Sequence, residues 1–489
     1  MICVAFNIET DYPNNSGERK IQPTSSMIGS QVIEMDKFFK LTERKTDVRT
    51  EIIAGITTFL SMVYILAVNP ALLEAGGMDK ASVFTATAIA GAFTTLLMGL
   101  YANYPIALCT GMGLNAYFAY TICGGLAAEG VQSPWTVALT AVLCEGIIFV
   151  LISLTKFREQ FVNSVPQVLR SAIIVGVGLF ITICGMVNAG IMQAAPSTLI
   201  TLGDLGSPQV VLAFAGIIII ALLAHFHVRG HILLGILATW ILGMIAQAAG
   251  WYQVDPEAGA YSLYPVFTGS FIPVDKHVFD FNFGWALDHI VTFTTIAFTL
   301  LLIDLFDTVG ALIGIAPKAN LVDKNGDFID AKKAFLTDSI GTVFGACAGT
   351  STVTGFIESS TGVASGGRTG LTSVTTGLLF IAALFFSPIF LAIPMFATTP
   401  ALVWVGLMMM EEAKNISFTD DIADSVAAFL TIVMMPFTYS VENGLMFGFL
   451  SWVILKVITG KAKEVKPMMW ISSALFAIYA IKIVFVPGI

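Results

Sequence analysis

The sequence predicts an all-α integral membrane protein with fourteen transmembrane spans, arranged as a seven-plus-seven inverted repeat. Three observations predict it. The 489-residue chain is 56% hydrophobic and only 12% charged, whereas about a quarter of a soluble chain is charged. Long apolar stretches recur along it, and the basic residues collect in alternate loops. A soluble enzyme is therefore excluded. The net charge of −9 offers no basic surface for DNA or RNA, so we expect no nucleic-acid partner.

The first 34 residues are predicted to form a tail without a transport role, and residues 1–50 together the cytoplasmic N-terminal segment. A secretory signal needs an apolar core of about 7–15 residues after a basic start. Residues 1–6 are too short and uncharged, and residues 13–17 favour turns. Met35 begins a short polar and aromatic stretch and is a plausible internal start.

A helix that crosses the hydrocarbon core needs about 20 mostly apolar residues. Two of the predicted spans, the third and the tenth, are short and rich in Gly, Ser and Thr, which indicates interrupted helices. A further apolar segment, 468–487, is either an extra span or an in-plane helix. The fourteen stretches are 52–73, 82–101, 105–123, 134–155, 166–187, 208–225, 231–250, 286–312, 334–348, 352–366, 370–392, 398–412, 421–438 and 443–459.

The basic residues orient these spans, because short cytoplasmic loops carry most of the Lys and Arg. With the N-terminus inside, the outer loops hold only Lys80 and Lys276. This asymmetry predicts a cytoplasmic N-terminus. The inner loops hold Lys156, Arg158, Arg229, Lys318, Lys324, Lys332, Lys333, Arg368 and Lys414.

An internal repeat is visible when the chain is divided near residue 260. Pro166 and Gly178 match Pro394 and Gly406 at one constant offset, and the interrupted spans are each third in their half. Seven spans is an odd number, so the second half enters the membrane from the opposite side. In transporters built from such inverted repeats, paired broken helices meet near the midplane and form the binding site.

Carboxyl groups inside apolar spans are the main functional signal, because an Asp at mid-bilayer costs about 2.5–3.5 kcal/mol on insertion scales. Asp304 and Asp307 are three residues apart and share one helical face. Two carboxyl groups this close cannot both ionise without a large cost in free energy, so one of them keeps a proton. A carboxyl group that can gain and lose a proton is what a proton relay needs. The alternative is that one of them braces a neighbouring helix. Glu145 and Asp338 are predicted to do so.

Glu358 lies in a stretch where Gly, Ser and Thr outnumber aliphatic residues, 349–362. Small residues let the backbone approach a ligand, and a carboxylate accepts hydrogen bonds from ligand N–H groups. A packing face of small residues would explain the glycines but not the carboxylate. Asn115 occupies the corresponding place in the third span, and both readings, ligand contact and helix bonding, stay open for it. The scattered cysteines predict neither a disulfide framework nor a metal site, and we expect no cofactor.

Three stretches, 111–118 (GMGLNAYF), 302–310 (LIDLFDTVG) and 349–370 (GTSTVTGFIESSTGVASGGRTG), closely resemble the nucleobase–ascorbate transporters, and most of all their guanine/hypoxanthine (adenine-like) permease branch. The resemblance implies a uracil-permease-like fold with short antiparallel strands before the half-helices of spans three and ten. It implies a core domain (51–155 and 256–395) and a gate domain (156–255 and 396–460), followed by a C-terminal segment (461–489). It also implies a homodimer formed through the gate domain.

Carried over by position, the resemblance assigns the purine-binding site. Asp304 and Glu358 would hold the base, and Asp304, Asp307 and Glu358 would couple its import to protons. Relatives that take uracil or xanthine tend to have Glu where this chain has Asp304, which favours purines. The expected function is proton-coupled import of guanine, hypoxanthine or adenine across the cell membrane. Xanthine or uracil transport, anion transport and, more distantly, an intramembrane hydrolase are the alternatives. The candidate substrate-binding residues are Asp304, Glu358, Asn115, Gly113, Ile357 and Phe356.

Overall fold

The computed structural model describes residues 35–154, 165–195, 199–228, 230–253, 264, 276–316, 318–322 and 329–485, and it is mostly helical. The predicted N-terminal tail lies outside the described residues. So do four of the basic loop residues used to orient the chain, namely Lys156, Arg158, Arg229 and Lys324.

In the described part of the first half, the main elements are long and short helices with three short strands. In chain order these are α1 (Val48–Met62), α2 (Ile65–Ala75), α3 (Lys80–Leu97), β1 (Leu108–Thr110), α4 (Met112–Ala116), α5 (Gly124–Ala128), α6 (Pro134–Leu154), α7 (Gln167–Asn188), β2 (Met192–Ala195), β3 (Leu199–Leu202), α8 (Pro208–His225) and α9 (His231–Ala248). A π-helical turn, Tyr117–Cys123, joins α4 to α5.

The second half repeats the pattern of long helices around one interrupted span. Its elements are α10 (Phe283–Asp288), α11 (Ile290–Ile315), α12 (Ala331–Ala348), β4 (Val353–Gly355), α13 (Ser359–Ala364), α14 (Gly370–Ala383), α15 (Ser387–Leu391), α16 (Met395–Met409), α17 (Ile422–Phe437), α18 (Val441–Ile458) and α19 (Pro467–Phe485). The apolar C-terminal segment is thus a helix, α19, and it packs against α18 and α11.

Nine helical stretches in the described part of the chain are long and apolar enough to cross a membrane. The protein is therefore a multi-pass membrane protein. The interrupted spans contain shorter helices, as do the twelfth and thirteenth predicted spans, where α16 and α17 have 15 and 16 residues. The count of fourteen stays a prediction.

The two interrupted spans meet through their strands. β1 pairs with β4 in antiparallel register, with Cys109 opposite Thr354. A buried hydroxyl from α3 completes the edge, since Thr95 Oγ1 donates to Leu108 O (2.8 Å) and accepts from Leu108 N (2.9 Å). The predicted short strands before the half-helices are thereby confirmed. A second antiparallel pair, β2 with β3, follows α7 and has no counterpart in the prediction.

The helices pack in two groups on either side of this region. In one group, α14 packs on α1 and α3, while α12 packs on α6 and α3. In the other group, α7 packs on α16 and α17, and α16 also contacts α8 and α9. The half-helix α4 lies where the groups meet and contacts α7.

The repeat signal read from the sequence lies at the contact between α7 and α16. Pro166 and Pro394 are the N-caps of these two helices. A Cβ atom on Gly178 would lie 3.0 Å from Gly406 O, and a Cβ atom on Gly406 would lie 2.6 Å from Gly178 O. Repeat-related residues that touch one another lie at the axis relating the halves. These glycines are needed because the two helices approach closely there.

A buried carboxylate in the first span has a structural explanation. Glu51 is fully buried and accepts hydrogen bonds from Arg368 N (2.7 Å), Thr372 N (3.2 Å) and Thr372 Oγ1 (2.6 Å). These donors lie around the start of α14, where backbone N–H groups lack helical partners. Glu51 therefore joins α1 to the first turn of α14.

The loop before α3 is held by an acidic cap. Asp79 Oδ1 accepts from Ser82 N (3.0 Å), and Lys276 Nζ lies 2.8 Å from Asp79 Oδ2. Asp79 N also donates to His277 Nε2 (2.8 Å). Burial alone would raise the pKa of Asp79, but the hydrogen bonds from Lys276 and Ser82 hold this pKa below its usual range. The carboxylate therefore stabilises the folded protein while it is ionised.

We expect Asp79→Ala to lower thermal stability in detergent by about 0.5–2 kcal/mol, the usual range for a lost N-cap. Because the folded-state pKa of Asp79 is depressed, its contribution is present above the ordinary Asp pKa of about 4 and is lost as pH falls through the depressed value. The difference in melting temperature between wild type and variant should thus hold down to about pH 5 and narrow below about pH 4. Asp288→Ala, which removes an exposed carboxylate, is the control. An equal loss in Asp288→Ala would contradict the assignment.

Candidate functional site

A cavity of about 480 Å³ lies between the two groups of helices. One wall comes from the region around β1 and β4, and the other from α7 and α16. Its volume is typical of a small-molecule site. Among the described residues that line it, four are acidic and none is Lys, Arg or His. The lining residues are Tyr64, Gly111, Met112, Gly113, Ile174, Phe306, Asp307, Ala311, Thr354, Gly355, Phe356, Ile357, Glu358, Trp404, Val405, Leu407, Met408, Met409, Glu411 and Glu412.

Glu358 lies in this wall, in the turn between β4 and α13, with 8% of its surface exposed. Tyr64 Oη donates to Glu358 Oε1 at 2.6 Å. Because each carboxylate oxygen has two acceptor positions, this bond fixes the carboxylate and leaves acceptors for a ligand. Glu358 is therefore a buried, oriented hydrogen-bond acceptor in the cavity.

The sequence reasoning missed Tyr64. It is fully buried and lies in the break between α1 and α2, where the backbone leaves regular helix at residues 63 and 64. The signal available was a tyrosine hydroxyl near the middle of an apolar span, which needs a buried partner. Without the fold, nothing identified Glu358 as that partner.

The structure places the two eighth-span carboxyl groups differently. Asp307 lines the cavity, and a Cβ atom on Gly111 would lie 3.6 Å from Asp307 Oδ2. Asp304 is fully buried and is not among the cavity-lining residues. Three residues along an α-helix correspond to a rotation of about 60° about its axis. That rotation turns Asp304 from the cavity toward α6 and α12.

Asp304 belongs to a buried polar cluster behind β4. Thr308 Oγ1 bonds to Asp338 Oδ2 (2.8 Å), to Thr354 Oγ1 (2.8 Å) and, at 3.4 Å, to Asp304 Oδ1. The carboxyl group of Glu145, from α6, lies next to that of Asp304.

The same cluster supports the interrupted tenth span. Thr352 Oγ1 donates to Glu145 Oε2 (2.9 Å), just before β4 begins. Thr354, within β4, is bonded to Thr308 and also lines the cavity. Glu145 and Asp338 thus make the kind of contacts expected of bracing residues.

The remaining candidate residues divide between the cavity and its support. Asn115 is fully buried, accepts from Ser351 Oγ and donates to Thr110 Oγ1 (3.4 Å). It joins the two interrupted spans and is not among the cavity-lining residues. Gly113 lines the cavity and touches α7, since a Cβ atom there would lie 2.5 Å from Val177 Cγ1.

Phe356 and Ile357 line the cavity beside Glu358. Phe356 is 5% exposed, whereas Ile357 is 47% exposed. Trp404 and Met408 provide apolar surface from α16. Within the described ranges, no three His, Cys, Asp or Glu side chains are grouped so that they could hold a metal ion. The cavity thus combines flat apolar surface with acceptor oxygens.

Comparison with known proteins places the chain in a family. Residues 49–477 match the family described as "Permease family". The chain is 41% identical to the guanine/hypoxanthine permease PbuO of Bacillus subtilis, with 90% of this chain and 99% of that protein covered. It is 39% identical to the adenine permease AdeP of Escherichia coli, with 95% and 99% covered. Among solved structures, the transmembrane domain of the cyanobacterial bicarbonate transporter BicA has a TM-score of 0.60 at 15% identity, covering 81% of this chain and 97% of that one.

The chain is a membrane transporter and not an enzyme, and it belongs to this permease family. The intramembrane hydrolase alternative is therefore set aside. The likeness to BicA concerns the fold alone, because transporters of different substrates can have the same fold.

The cluster behind β4 generates a stability prediction. We expect Thr308→Val to destabilise the protein by about 1–3 kcal/mol, because buried polar groups lose a hydrogen-bond partner. Thr308→Ser keeps the hydroxyl group and is the matched control. Thermal unfolding in detergent measures both variants. Equal melting temperatures for wild type and Thr308→Val would show that the hydroxyl group does not hold the cluster together.

Proposed function

We propose that the protein imports purine nucleobases, with guanine, hypoxanthine and adenine as the candidate substrates. The observation that carries the proposal is Glu358, a buried carboxylate held by Tyr64 in a cavity whose remaining wall is largely apolar. The names of the two relatives, an adenine permease and a guanine/hypoxanthine permease, support the same substrate class.

The chemistry of the cavity suits a planar heterocycle. Guanine carries adjacent N–H groups, at N1 and on the 2-amino group, which a carboxylate accepts in bidentate fashion, and hypoxanthine offers the N1–H donor on the same edge. Ile357 and Trp404 can cover the faces of the ring. Because unpaired polar atoms are costly in a buried site, such a site rejects bases with the wrong donor pattern.

We also propose that protons drive this import. Asp307 and Glu358 line one cavity, and two carboxylates in an apolar site cannot both stay ionised cheaply. Proton uptake by this pair as the base enters would neutralise the site. The resemblance places Asp304 beside the base, but we propose that it lies behind β4 and takes part in proton coupling there, next to Glu145. We propose that Asn115 holds the two interrupted spans together.

Alternating access is the proposed transport mechanism, with a core domain (51–155 and 256–395) moving against a gate domain (156–255 and 396–460). The packing supports this division, because the cavity lies between the group around α14 and the group around α7. The basic-loop asymmetry supports a cytoplasmic N-terminus in the cell membrane. The resemblance to nucleobase–ascorbate transporters supports a homodimer formed through the gate domain.

Anion transport is the same-fold alternative, as in BicA. An anion site needs a cation or a row of donors near the substrate. The described cavity lining contains four carboxyl groups and no basic side chain. Arg368, in the tenth-span motif, donates instead to Val363 O (2.6 Å) and Gly367 O (2.7 Å). The lining therefore favours a substrate that donates hydrogen bonds.

Uptake of radiolabelled hypoxanthine into proteoliposomes tests the site. We expect Glu358→Gln to reduce uptake about 10- to 100-fold, because charge-assisted hydrogen bonds are worth about 1.5–3 kcal/mol each. Tyr64→Phe should raise KM about two- to tenfold while leaving the protein folded, since it removes one neutral donor. Glu74→Gln, a partly exposed carboxylate paired with Lys80, is the control. Normal hypoxanthine uptake by Glu358→Gln would refute the site.

Proton coupling is tested with the same vesicles and an imposed pH gradient. We expect an inward proton gradient to accumulate hypoxanthine in wild-type vesicles. Asp307→Asn should still exchange labelled for unlabelled base but should no longer accumulate it, because the variant cannot take up a proton at that position. Proton coupling would be contradicted if wild-type vesicles accumulated hypoxanthine in response to a sodium gradient but not in response to a pH gradient.

A further inference from the structure

The two elements that border the cavity also touch each other at a second place. On one side is the interrupted third span, in which Met112 and Gly113 line the cavity and Tyr120 follows in the π-helical turn. On the other side is α7, in which Ile174 lines the cavity. From Ile174 to Asn188, α7 rises about 21 Å, at 1.5 Å per residue. Asn188 is not among the cavity-lining residues and lies at the other end of α7 from Ile174.

At that far end the two elements are joined by polar and aromatic contacts. Asn188 Nδ2 donates to Tyr120 Oη. Thr121 Oγ1 donates to Tyr439 O at 3.4 Å, from the turn between α17 and α18. The ring of Tyr439 contacts those of Tyr120 (5.9 Å between centroids) and Phe180 (5.6 Å). Together, Tyr120, Asn188 and Tyr439 are called the latch below.

The cavity reaches the surface at the opposite end. Its lining includes Glu411 and Glu412, in the exposed turn after α16. The next helix, α17, begins at Ile422 near that turn and ends at Phe437, about 22 Å further on. Tyr439 follows this far end. The latch and the mouth of the cavity thus lie toward opposite faces of the membrane.

Two local features distinguish the latch from ordinary helix packing. Tyr439 has φ of 53°, in the left-handed region that bulky side chains rarely adopt. Tyr120 lies in the π-helical turn Tyr117–Cys123, a conformation that is common at functional sites and rare elsewhere. The hydrogen bond and the edge-to-face ring contacts of the latch can break without disrupting tightly packed apolar side chains.

We propose that the latch is the closed gate on the face of the membrane opposite the cavity mouth. The inference rests on the proposed transport function, because a binding protein would not need a second entrance. For a substrate to reach the cavity from that face, the third span must move away from α7 and Tyr439. The contacts of Tyr120 with Asn188 and Tyr439 then break, while those on the mouth side form.

The chain contains its own reporter for this movement. Cys184 is on α7, one turn before Asn188, is fully buried, and is within hydrogen-bonding reach of Tyr439. Opening the latch would expose its thiol group. Cys109, in β1, is equally buried but lies in the β1–β4 pair. It should react only if the protein unfolds.

The experiment measures the maleimide labelling rate of each cysteine in the purified full-length protein by peptide mass spectrometry, with no substrate present. We expect Tyr120→Phe and Asn188→Ala to label Cys184 about two- to tenfold faster than wild type, the population shift expected from one lost hydrogen bond. Labelling of Cys109 should stay slow in all proteins. Tyr101→Phe, at a tyrosine 47% exposed in the second span, is the matched control.

Faster labelling of Cys184 alone supports the gate. Faster labelling of both Cys184 and Cys109 shows that the variant unfolds, and this result overturns its interpretation as an opened gate. Tyr120→Phe and Asn188→Ala proteins that label like wild type at Cys184, while hypoxanthine uptake is normal, overturn the gate and leave the transport function standing. Accelerated Cys184 labelling in the variants, combined with a wild-type protein that takes up no purine, supports the gate and refutes the proposed substrate.

Discussion

The pairing of β1 with β4 is the interaction on which the site depends. Non-helical backbone inside a membrane protein must find hydrogen-bond partners within the protein. Here each interrupted span supplies the partner of the other, with Thr95 completing one edge. The pairing frees a length of chain in each interrupted span from helical geometry, in one wall of the cavity. Glu358 on one span and Gly113 on the other reach the cavity because of it.

The carboxyl groups behind the pair are the second constraint. Asp304, Asp338 and Glu145 lie in a fully buried region, and hydroxyl groups of Thr308 and Thr352 bond them to the β4 strand or to its neighbours. Buried charge is tolerated only where hydrogen bonds or protons compensate it. The cluster therefore bonds α6, α11 and α12 to β4 and to the residue before it, and Thr354 of β4 also lines the cavity.

The parts of the fold that follow from local rules were predictable from the sequence. The scarcity of aliphatic residues indicated the interrupted spans. Pro166 and Pro394, which precede two matching helices, and Gly178 and Gly406, where those helices approach closely, indicated the repeat. The strands and the permease family followed from the resemblance in residues 111–118, 302–310 and 349–370, whereas Glu358 was indicated by its own setting, a carboxylate among Gly, Ser and Thr. The inverted relation of the halves was inferred from an odd number of spans per half.

Features that depend on how a helix is rotated about its axis in the fold, or on contacts between residues distant in sequence, were not predictable. Helical spacing put Asp304 and Asp307 on one face, but a rotation of about 60° decides which of them faces a cavity. Tyr64 required the fold, since its partner is distant in sequence. Asn115 could equally have bound a ligand or joined two spans, and sequence alone offered no means to choose between them.

A structure of the protein with hypoxanthine bound is the most direct test of the central claim, that Glu358 holds the base. We expect the ring to lie in the cavity between Ile357 and Trp404, with its N1–H group about 2.7–3.0 Å from a carboxylate oxygen of Glu358 and the Tyr64 bond retained. Base density elsewhere, with Glu358 still bonded to Tyr64 but facing no ligand, would contradict it.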